Sequence, residues 1–257
     1  FDMTVKVGPF ALTEQLRELP YAPDLLERAF DQFAPRGMCE ARMRIWRKYE
    51  SGQLRYFHDG DIYLTNANLT YHRFPYPLQD VTGHLHVNQE KVDIKSITGQ
   101  GQSGTQVTIT GTRMLPRSTG AVDVFITAGN GPIDDALMQA IPEHYRRGVQ
   151  LFLDVPAHAS LIDAGLIRSA NTPGDQDVPG FDLGGRSKMN VRVTRPHGIG
   201  KRYTTAIDLF PEDVNLVFKY WPYPVKAVGG TIRVRLPHIT LEDVQLQGPT
   251  GAIGWIS

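Results

Sequence analysis

Two stretches of this chain repeat one another at a constant spacing, and this internal repeat limits the folds that the chain can adopt. The segment YHRFPYPLQDVTGHLHV at residues 71–87 matches FKYWPYPVKAVGGTIRV, which lies 147 positions later. The match covers residues 68–104 of the first copy and residues 215–251 of the second without a gap. It contains about eleven identities, where ordinary composition predicts about two or three. The chain is therefore predicted to contain two copies of one structural unit.

Apolar and polar residues alternate through both copies of the repeat. A period of two residues is typical of a β-strand with one buried face. The main apolar positions are Val81, Leu85, Val87, Val92 and Ile94 in the first copy, and Val228, Ile232, Val234, Ile239 and Leu241 in the second. Short turn sequences separate the alternating runs, as NQEK does at residues 88–91. This pattern predicts an up-and-down meander of antiparallel hairpins.

Four glycines occupy equivalent positions in the two copies. Gly83 matches Gly230, and Gly101 matches Gly248. A glycine within or beside a strand is typical of a bulge, a tight bend or a close approach of two backbones. We therefore expect these four glycines to let the sheet curve.

Helical periodicity precedes the strands in each copy. Apolar residues spaced three or four apart occupy residues 25–33 and residues 133–141. An Arg-Gly step follows each helical pattern, at Arg36-Gly37 and at Arg147-Gly148. Each step leads into an alternating run, MCEARMRI in the first copy and VQLFLDV in the second, and we expect both runs to form strands. The aromatic residues of the Pro-Tyr-Pro corners, among them Phe74 and Trp221, are predicted to pack beneath these helices.

These patterns together predict the fold class and the domain organisation. We expect an α+β, sheet-dominated protein built from repeated units of a short helix plus a curved antiparallel β-meander, which form a half-pipe or β-groove. Residues 1–132 form the first repeat with its preceding strand. Residues 133–257 form the second repeat, truncated at its C-terminus. A segment rich in Gly, Pro and Asp at about residues 164–188 is predicted to be an inserted loop.

The composition argues against several classes of protein. Lys and Arg together number 27 and Asp and Glu number 27, so the balanced charge gives no reason to expect a nucleic-acid partner. The single cysteine, Cys39, excludes a disulfide within the chain. No run approaches the roughly twenty apolar residues that a membrane-spanning helix requires. The composition is therefore compatible with a protein of either a reducing compartment or a cell envelope.

Motifs for catalysis or metal binding are weak. In HDGD at residues 58–61 we expect a turn rather than a metal site. The sequence HLH places His84 and His86 on one strand face, where a solvated polar surface explains them better than zinc does. The glycine-rich GQGQSG lacks the Lys-Ser/Thr ending of a phosphate loop and is predicted to be a hairpin turn. Because no nucleophile elbow or acid pair is present, we expect no catalytic residue, no metal and no cofactor.

The order of these elements resembles the AsmA-like proteins of bacterial envelopes, which are related to the bridge-like lipid-transfer proteins. The resemblance is carried by the corner strand FPYPLQDVTGHLHV, by the meander VDIKSITGQGQSGTQVTITG and by the closing strand AVDVFI. It implies a curved sheet, apolar inside, that shields phospholipid or other acyl chains between membranes. It also implies residence in the periplasm of a Gram-negative-type bacterium, a role in outer-membrane biogenesis or envelope homeostasis, and an inner-membrane anchor outside these residues.

Alternation alone leaves the use of the apolar face open. Its residues either line a lipid groove or fill a conventional core closed by the helices. The second possibility corresponds to a structural or adhesive β-repeat scaffold that binds protein or glycan. A continuous open apolar face would favour the lipid conduit, whereas a polar or plugged face would favour the scaffold.

Overall fold

A computed structural model describes residues 1–18, 24–169 and 181–257. The described residues confirm a sheet-dominated, antiparallel protein with twelve strands whose order in the sheet follows the chain. The strands are β1 (Asp2–Leu12), β2 (Arg36–Glu50), β3 (Gln53–Tyr71), β4 (Phe74–Asn88), β5 (Lys91–Gln100), β6 (Gln106–Met114), β7 (Val122–Pro132), β8 (Gly184–Arg195), β9 (Thr204–Phe218), β10 (Trp221–Arg235), β11 (His238–Gln247) and β12 (Ile253–Ile256). The α-helices are α1 (Asp24–Phe33), α2 (Asp135–Ala140), α3 (Glu143–Val149) and α4 (Val155–Asp163).

The chain divides into two compact units. Unit 1 comprises Phe1–Ala128 and Asn190–Ala206, and unit 2 comprises Gly129–Met189 and Ile207–Ser257. Each unit has its own apolar core. Ala67, Val81 and Ile97 centre the core of unit 1, and Val214, Ala227 and Val244 centre the core of unit 2.

The internal repeat reappears in the limits of the strands. Strands β4 and β10 begin and end 147 positions apart, and so do β5 and β11. The hairpin turns correspond too, because Gly101 N–H donates to Thr105 O at 2.7 Å and Gly248 N–H donates to Ala252 O at 2.8 Å. Similar local patterns therefore fold into hairpins with the same limits, as the alternation predicts.

The repeat extends to the strands before the aligned sequence. Ser187 in β8 donates to the carbonyl of Phe210 in β9, and Glu40 in β2 faces Tyr63 in β3 at the position 147 residues earlier. In addition, β1 and β7 each carry an aspartate that accepts two hydrogen bonds from one arginine of the next strand, in the pairs Asp2/Arg44 and Asp123/Arg192. Each copy thus has six strands, β1–β6 and β7–β12.

Two predictions about the segments between the strands are wrong. The run VQLFLDV does not form a strand, because Arg147 and Gly148 lie inside α3 and the following residues contribute only an isolated bridge between Leu153 and Val217. A repeated helical unit is not evident among the described residues either, and the positions 147 residues after α1 lie outside them. Proline explains part of the difference, because Pro142 supplies no N–H to a helix and separates α2 from α3.

The counterpart of β2 is therefore β8, which lies well beyond Gly148. The extra residues of the second copy fall between β7 and β8, around α2 to α4, and not between an Arg-Gly step and its strand. Residues 184–188, at the end of the predicted inserted loop, belong to β8. Residues 170–180 of that loop lie outside the described residues.

Candidate functional site

One face of the sheet in unit 1 is apolar across six strands. Residues that face each other directly on neighbouring strands project to the same side of a sheet. Leu85 faces both Ile62 and Ile94, and Ile97 faces Ile109. The apolar face, named here by its members, contains Val5, Val7, Ala41, Met43, Ile62, Leu64, Val81, Leu85, Val87, Val92, Ile94, Ile97, Val107 and Ile109. The register thus aligns the short apolar stripes of β1 to β6 into one surface.

Burial along the apolar face is graded. Val81, Val87 and Ile97 are buried among their neighbours. Leu85, Val92 and Ile94 are half-buried, as are Met43 and Ile62, and Val7 is 47% exposed. A face packed against a second layer would be buried throughout. The gradient therefore indicates that much of the apolar face of unit 1 stays open.

Helix α1 covers one end of the apolar face. It lies against β3, and Phe30 packs with Leu12 and Cys39 in a small buried cluster. Burial also raises the pKa of the Cys39 thiol, which therefore stays protonated and unreactive near neutral pH. Cys39 therefore has a structural role in this cluster of Leu12, Phe30 and Cys39, which is called the plug below because it closes one end of the apolar face.

In unit 2, the counterparts of the apolar-face residues are also buried or exposed to differing degrees, and at one position the buried residue is shifted by one along the strand. Ile232 and Leu241 pack against the core of unit 2, Val234 is half-buried, and Ile239 is exposed. However, Ala227 is fully buried whereas Val228, the sequence counterpart of Val81, is half-buried.

Two bulges in unit 1 explain why the buried residue differs by one position between the copies. Asn66 in β3 and Asp80 in β4 have positive φ angles of 46° and 51°, and each lies at a register shift. The two shifts compensate, so the pairing of Ile62 with Leu85 has its equivalent in that of Leu209 with Ile232. Between the two bulges the pairing moves by one residue, which reverses the face that a side chain occupies.

The four recurring glycines have different surroundings. Gly83 is buried in regular strand, where a Cβ would lie 3.1 Å from Ile97 Cγ1. Gly230 has a φ of +87° at a register shift, and a Cβ there would lie 2.5 Å from the backbone of Val244. Gly101 and Gly248 lie in turns beneath the rings of corner tyrosines. Gly83 and Gly230 thus differ, since only Gly230 lies in a bulge, whereas Gly101 and Gly248 share a close contact with a tyrosine ring.

The corner tyrosines pack on these turn glycines in both copies. A Cβ on Gly101 would lie 2.9 Å from Tyr76 Oη, and a Cβ on Gly248 would lie 3.0 Å from Tyr223 Oη. Tyr76 is buried. The prediction that the corner aromatics pack beneath a helix is wrong for Trp221, which is 64% exposed and stacks on Tyr223.

The opposite face of unit 1 is polar and internally paired. Asp61 Oδ1 lies 2.7 Å from His84 Nε2 and 3.2 Å from His86 Nδ1. The hydrogen bond from His84 is the main reason that the pKa of Asp61 falls below its usual value. HDGD is not the predicted turn, because it lies inside β3. Within the described residues, no group of three or more His, Cys, Asp or Glu side chains has the geometry to hold a metal ion.

Sequence reasoning missed a basic cluster at the end of the apolar face opposite α1. It contains Arg113, Arg117 and Arg195, with Tyr203 beside them. Arg113 stands in β6 directly opposite Val92. The only sequence signal is the basic segment RPHGIGKRY at residues 195–203, and nothing in it reveals that its first residue is buried against a turn some 75 positions earlier.

Comparisons with known proteins do not assign this chain to a family. No family model, curated protein or solved structure matches this chain. Among the described residues, none of the helices has both the length and the apolar character needed to span a membrane.

Proposed function

We propose that this protein is a non-enzymatic lipid conduit or envelope-homeostasis protein of the AsmA-like type, in which an apolar β-groove shields acyl chains between membranes. One observation carries the proposal. The apolar face of unit 1 continues in register from β1 to β6 and remains half-buried beyond the end that α1 covers. An open apolar surface of this kind is typical of a binding site.

The dimensions and the energetics suit acyl chains. Six strands spaced about 4.8 Å apart give a face roughly 24 Å wide. At about 0.8 kcal/mol per buried methylene, shielding a sixteen-carbon chain from water would contribute on the order of 12 kcal/mol. Repeated aliphatic side chains keep this energy nearly level along the face, which is what passive movement of a lipid requires.

The polar groups of the described residues support a passive role. The Cys39 thiol is buried and protonated, and the His84 and His86 rings are held by Asp61. Neither arrangement aligns a nucleophile with a general base. The expected partners are phospholipid or another acyl lipid, together with membranes contacted by other parts of the protein. We place the protein in the periplasm, held to the inner membrane by a segment outside these residues.

Native mass spectrometry with lipid extraction tests the proposal. The chain is purified gently from bacterial membranes and cytosol, together with a variant that carries Leu85→Asp and Ile94→Asp. These two half-buried residues face each other on the apolar face. We expect phospholipid to accompany the parent chain and to be lost from the variant, because two carboxylates there make burial of an acyl chain unfavourable.

The matched control carries Thr82→Asp and Thr98→Asp. These two exposed residues face each other on the opposite side of the same hairpin, so the control has the same strands and the same added charge. It is expected to retain lipid. A folded parent chain that carries no lipid would overturn the proposal and favour the protein- or glycan-binding scaffold.

A further inference from the structure

Three arginines meet at the open end of the apolar face of unit 1. Arg113 lies at the end of β6, and because it faces Val92 in β5 it projects from the apolar side of the sheet. Arg117 lies in the turn that follows β6, and Arg195 ends β8. The apolar face therefore runs from the plug at α1 to a group of cations.

Arg195 is held rigidly in this group. It is only 7% exposed. Its Nε and Nη2 atoms donate to the carbonyl of Gly120, and Nη2 also donates to Arg117 O at 3.0 Å. The guanidinium also lies 5.2 Å from the centre of the Tyr203 ring. These bonds fix the orientation of the fork and leave Nη1 for another acceptor.

The positive charge of the group has no carboxylate partner among the residues that the structure describes. Within the described residues, no salt bridge joins Arg113, Arg117 or Arg195 to a carboxylate. Glu90 lies in the adjoining turn, where Leu115 N–H donates to its backbone carbonyl, but its side chain forms no ion pair with these arginines. Burial and the like charges of Arg117 and Arg195 lower the pKa of Arg113. Partly buried cations without a counter-charge are unfavourable unless an anion joins them.

We propose that Arg113, Arg117 and Arg195 form a phosphate-binding site at the end of the apolar face, which takes the phosphate of an amphipathic ligand whose acyl chains lie on that face. The guanidinium fork matches the geometry of phosphate oxygens. The inference rests on the proposed function for the acyl chains, although the anion site itself does not. The same chemistry would also bind a free phosphate, so the test separates the two sources.

The first copy provides a natural comparison. Lys48 and Tyr56 stand 147 positions before Arg195 and Tyr203. Both are exposed, and Lys48 forms no salt bridge within the part of the chain that the structure describes. Lys48→Gln therefore removes one equivalent positive charge from the same unit without touching the arginine cluster, which makes it the matched control.

Binding of short-chain lipids to the full chain tests the inference. The probes are dihexanoyl phosphatidic acid, dihexanoyl glycerol and inorganic phosphate, each titrated by isothermal calorimetry. We expect phosphatidic acid to bind about tenfold more tightly than the neutral glyceride, because charge-assisted hydrogen bonds add to the same acyl contacts. Arg113→Gln should abolish this preference, whereas Lys48→Gln, which removes the same single charge, should retain it. Circular dichroism melting confirms that each variant is folded.

The other outcomes are distinct. Equal binding of the two lipids by the parent chain overturns the phosphate site and leaves the lipid conduit standing. Phosphate binding as tight as that of phosphatidic acid, without binding of the neutral glyceride, overturns the conduit and assigns the arginines to a free phosphate. An equal loss of preference in Lys48→Gln also overturns the site, because general surface charge would then explain the effect.

Discussion

The two Pro-Tyr-Pro corners share their sequence but differ in how deeply they are buried. Tyr76 is 9% exposed, whereas Tyr223 is 37% exposed. Both rings pack on the turn glycine of the neighbouring hairpin. In both corners the preceding turn is also hydrogen-bonded to the segment that covers it. His72 N–H donates to Gln32 O in the first copy, and the equivalent Lys219 N–H donates to Leu151 O in the second.

The difference shows which contacts the repeat itself encodes. The ring-on-glycine contact is internal to the repeated sequence, so both copies have it. The cover over the corner comes from segments outside the aligned sequence. In the first corner Tyr71 stacks on Phe33 at the end of α1, and in the second Phe218 packs on Phe152 beyond α3. One motif can therefore be a buried structural contact in one copy and a largely exposed surface in the other.

Truncation of the two tyrosines is expected to have the largest effect. Tyr76→Ala should lower the free energy of unfolding by about 3 kcal/mol, because it removes a buried ring and leaves a cavity. Tyr223→Ala should cost about 1 kcal/mol, because part of its ring is already in water. Urea denaturation followed by circular dichroism measures both values. Equal losses would show that the corners are energetically equivalent and would break the comparison.

Alanine at the recurring glycines is expected to have the next largest effect. Gly230→Ala should destabilise by about 2 kcal/mol, because it combines a positive φ with a backbone clash against Val244. Gly83→Ala should cost less than about 1 kcal/mol, because its φ is ordinary and the side chain of Ile97 can shift. The same denaturation assay applies. A larger loss at Gly83 would mean that the curvature of the sheet is set at the straight position instead of at the bulge.

A smaller, pH-dependent difference should separate the copies. Asp93 lies against Lys91 at 2.7 Å and accepts a hydrogen bond from Thr112 at 2.8 Å, and these contacts lower its pKa to about 2. The second copy has Thr240 at this position. Because the pKa of Asp93 is lower in the folded chain than in the unfolded one, its contribution is complete above about pH 4 and is lost as the pH falls towards 2.

Asp93→Asn tests this contribution through the acid dependence of stability. Between pH 5 and about pH 2, the variant should lose less stability than the parent chain, since one proton-linked contribution is gone. Asp2, Asp61 and Asp123, whose pKa values are also lowered, remain in both chains as a common background. Parallel pH profiles for the two proteins would contradict the role given to Asp93.

Local patterns predicted the hairpins well because the information for them is local. Two-residue alternation and turn residues occur within about ten positions of each other, and so β3 to β6 and their counterparts follow from them. Because the copies have a constant spacing of 147 residues, the strands predicted in one copy also predicted those of the other. The apolar character of Leu85 and Ile94 was equally visible, although their openness to solvent was not, because it depends on what packs above them.

Features that depend on distant partners were not predictable. The bulges at Asn66 and Asp80 have no strong local signature, yet they shift the pairing so that Val81 becomes buried in the first copy, whereas Ala227, the counterpart of Asp80, is buried in the second. The run VQLFLDV alternates like a strand, but it follows α3 and finds no full strand partner. The burial of Arg195 depends on the carbonyls of a turn far earlier in the chain.

The openness of the apolar face is tested most directly by crosslinking. A photoreactive benzophenone amino acid replaces Ile94 on the apolar face or Thr98 on the polar face of β5, and the chain is irradiated in bacterial cells before mass spectrometry. The lipid-conduit account predicts phospholipid adducts at position 94 and none at position 98. Adducts to protein alone at position 94, or equal lipid labelling at both positions, would contradict it.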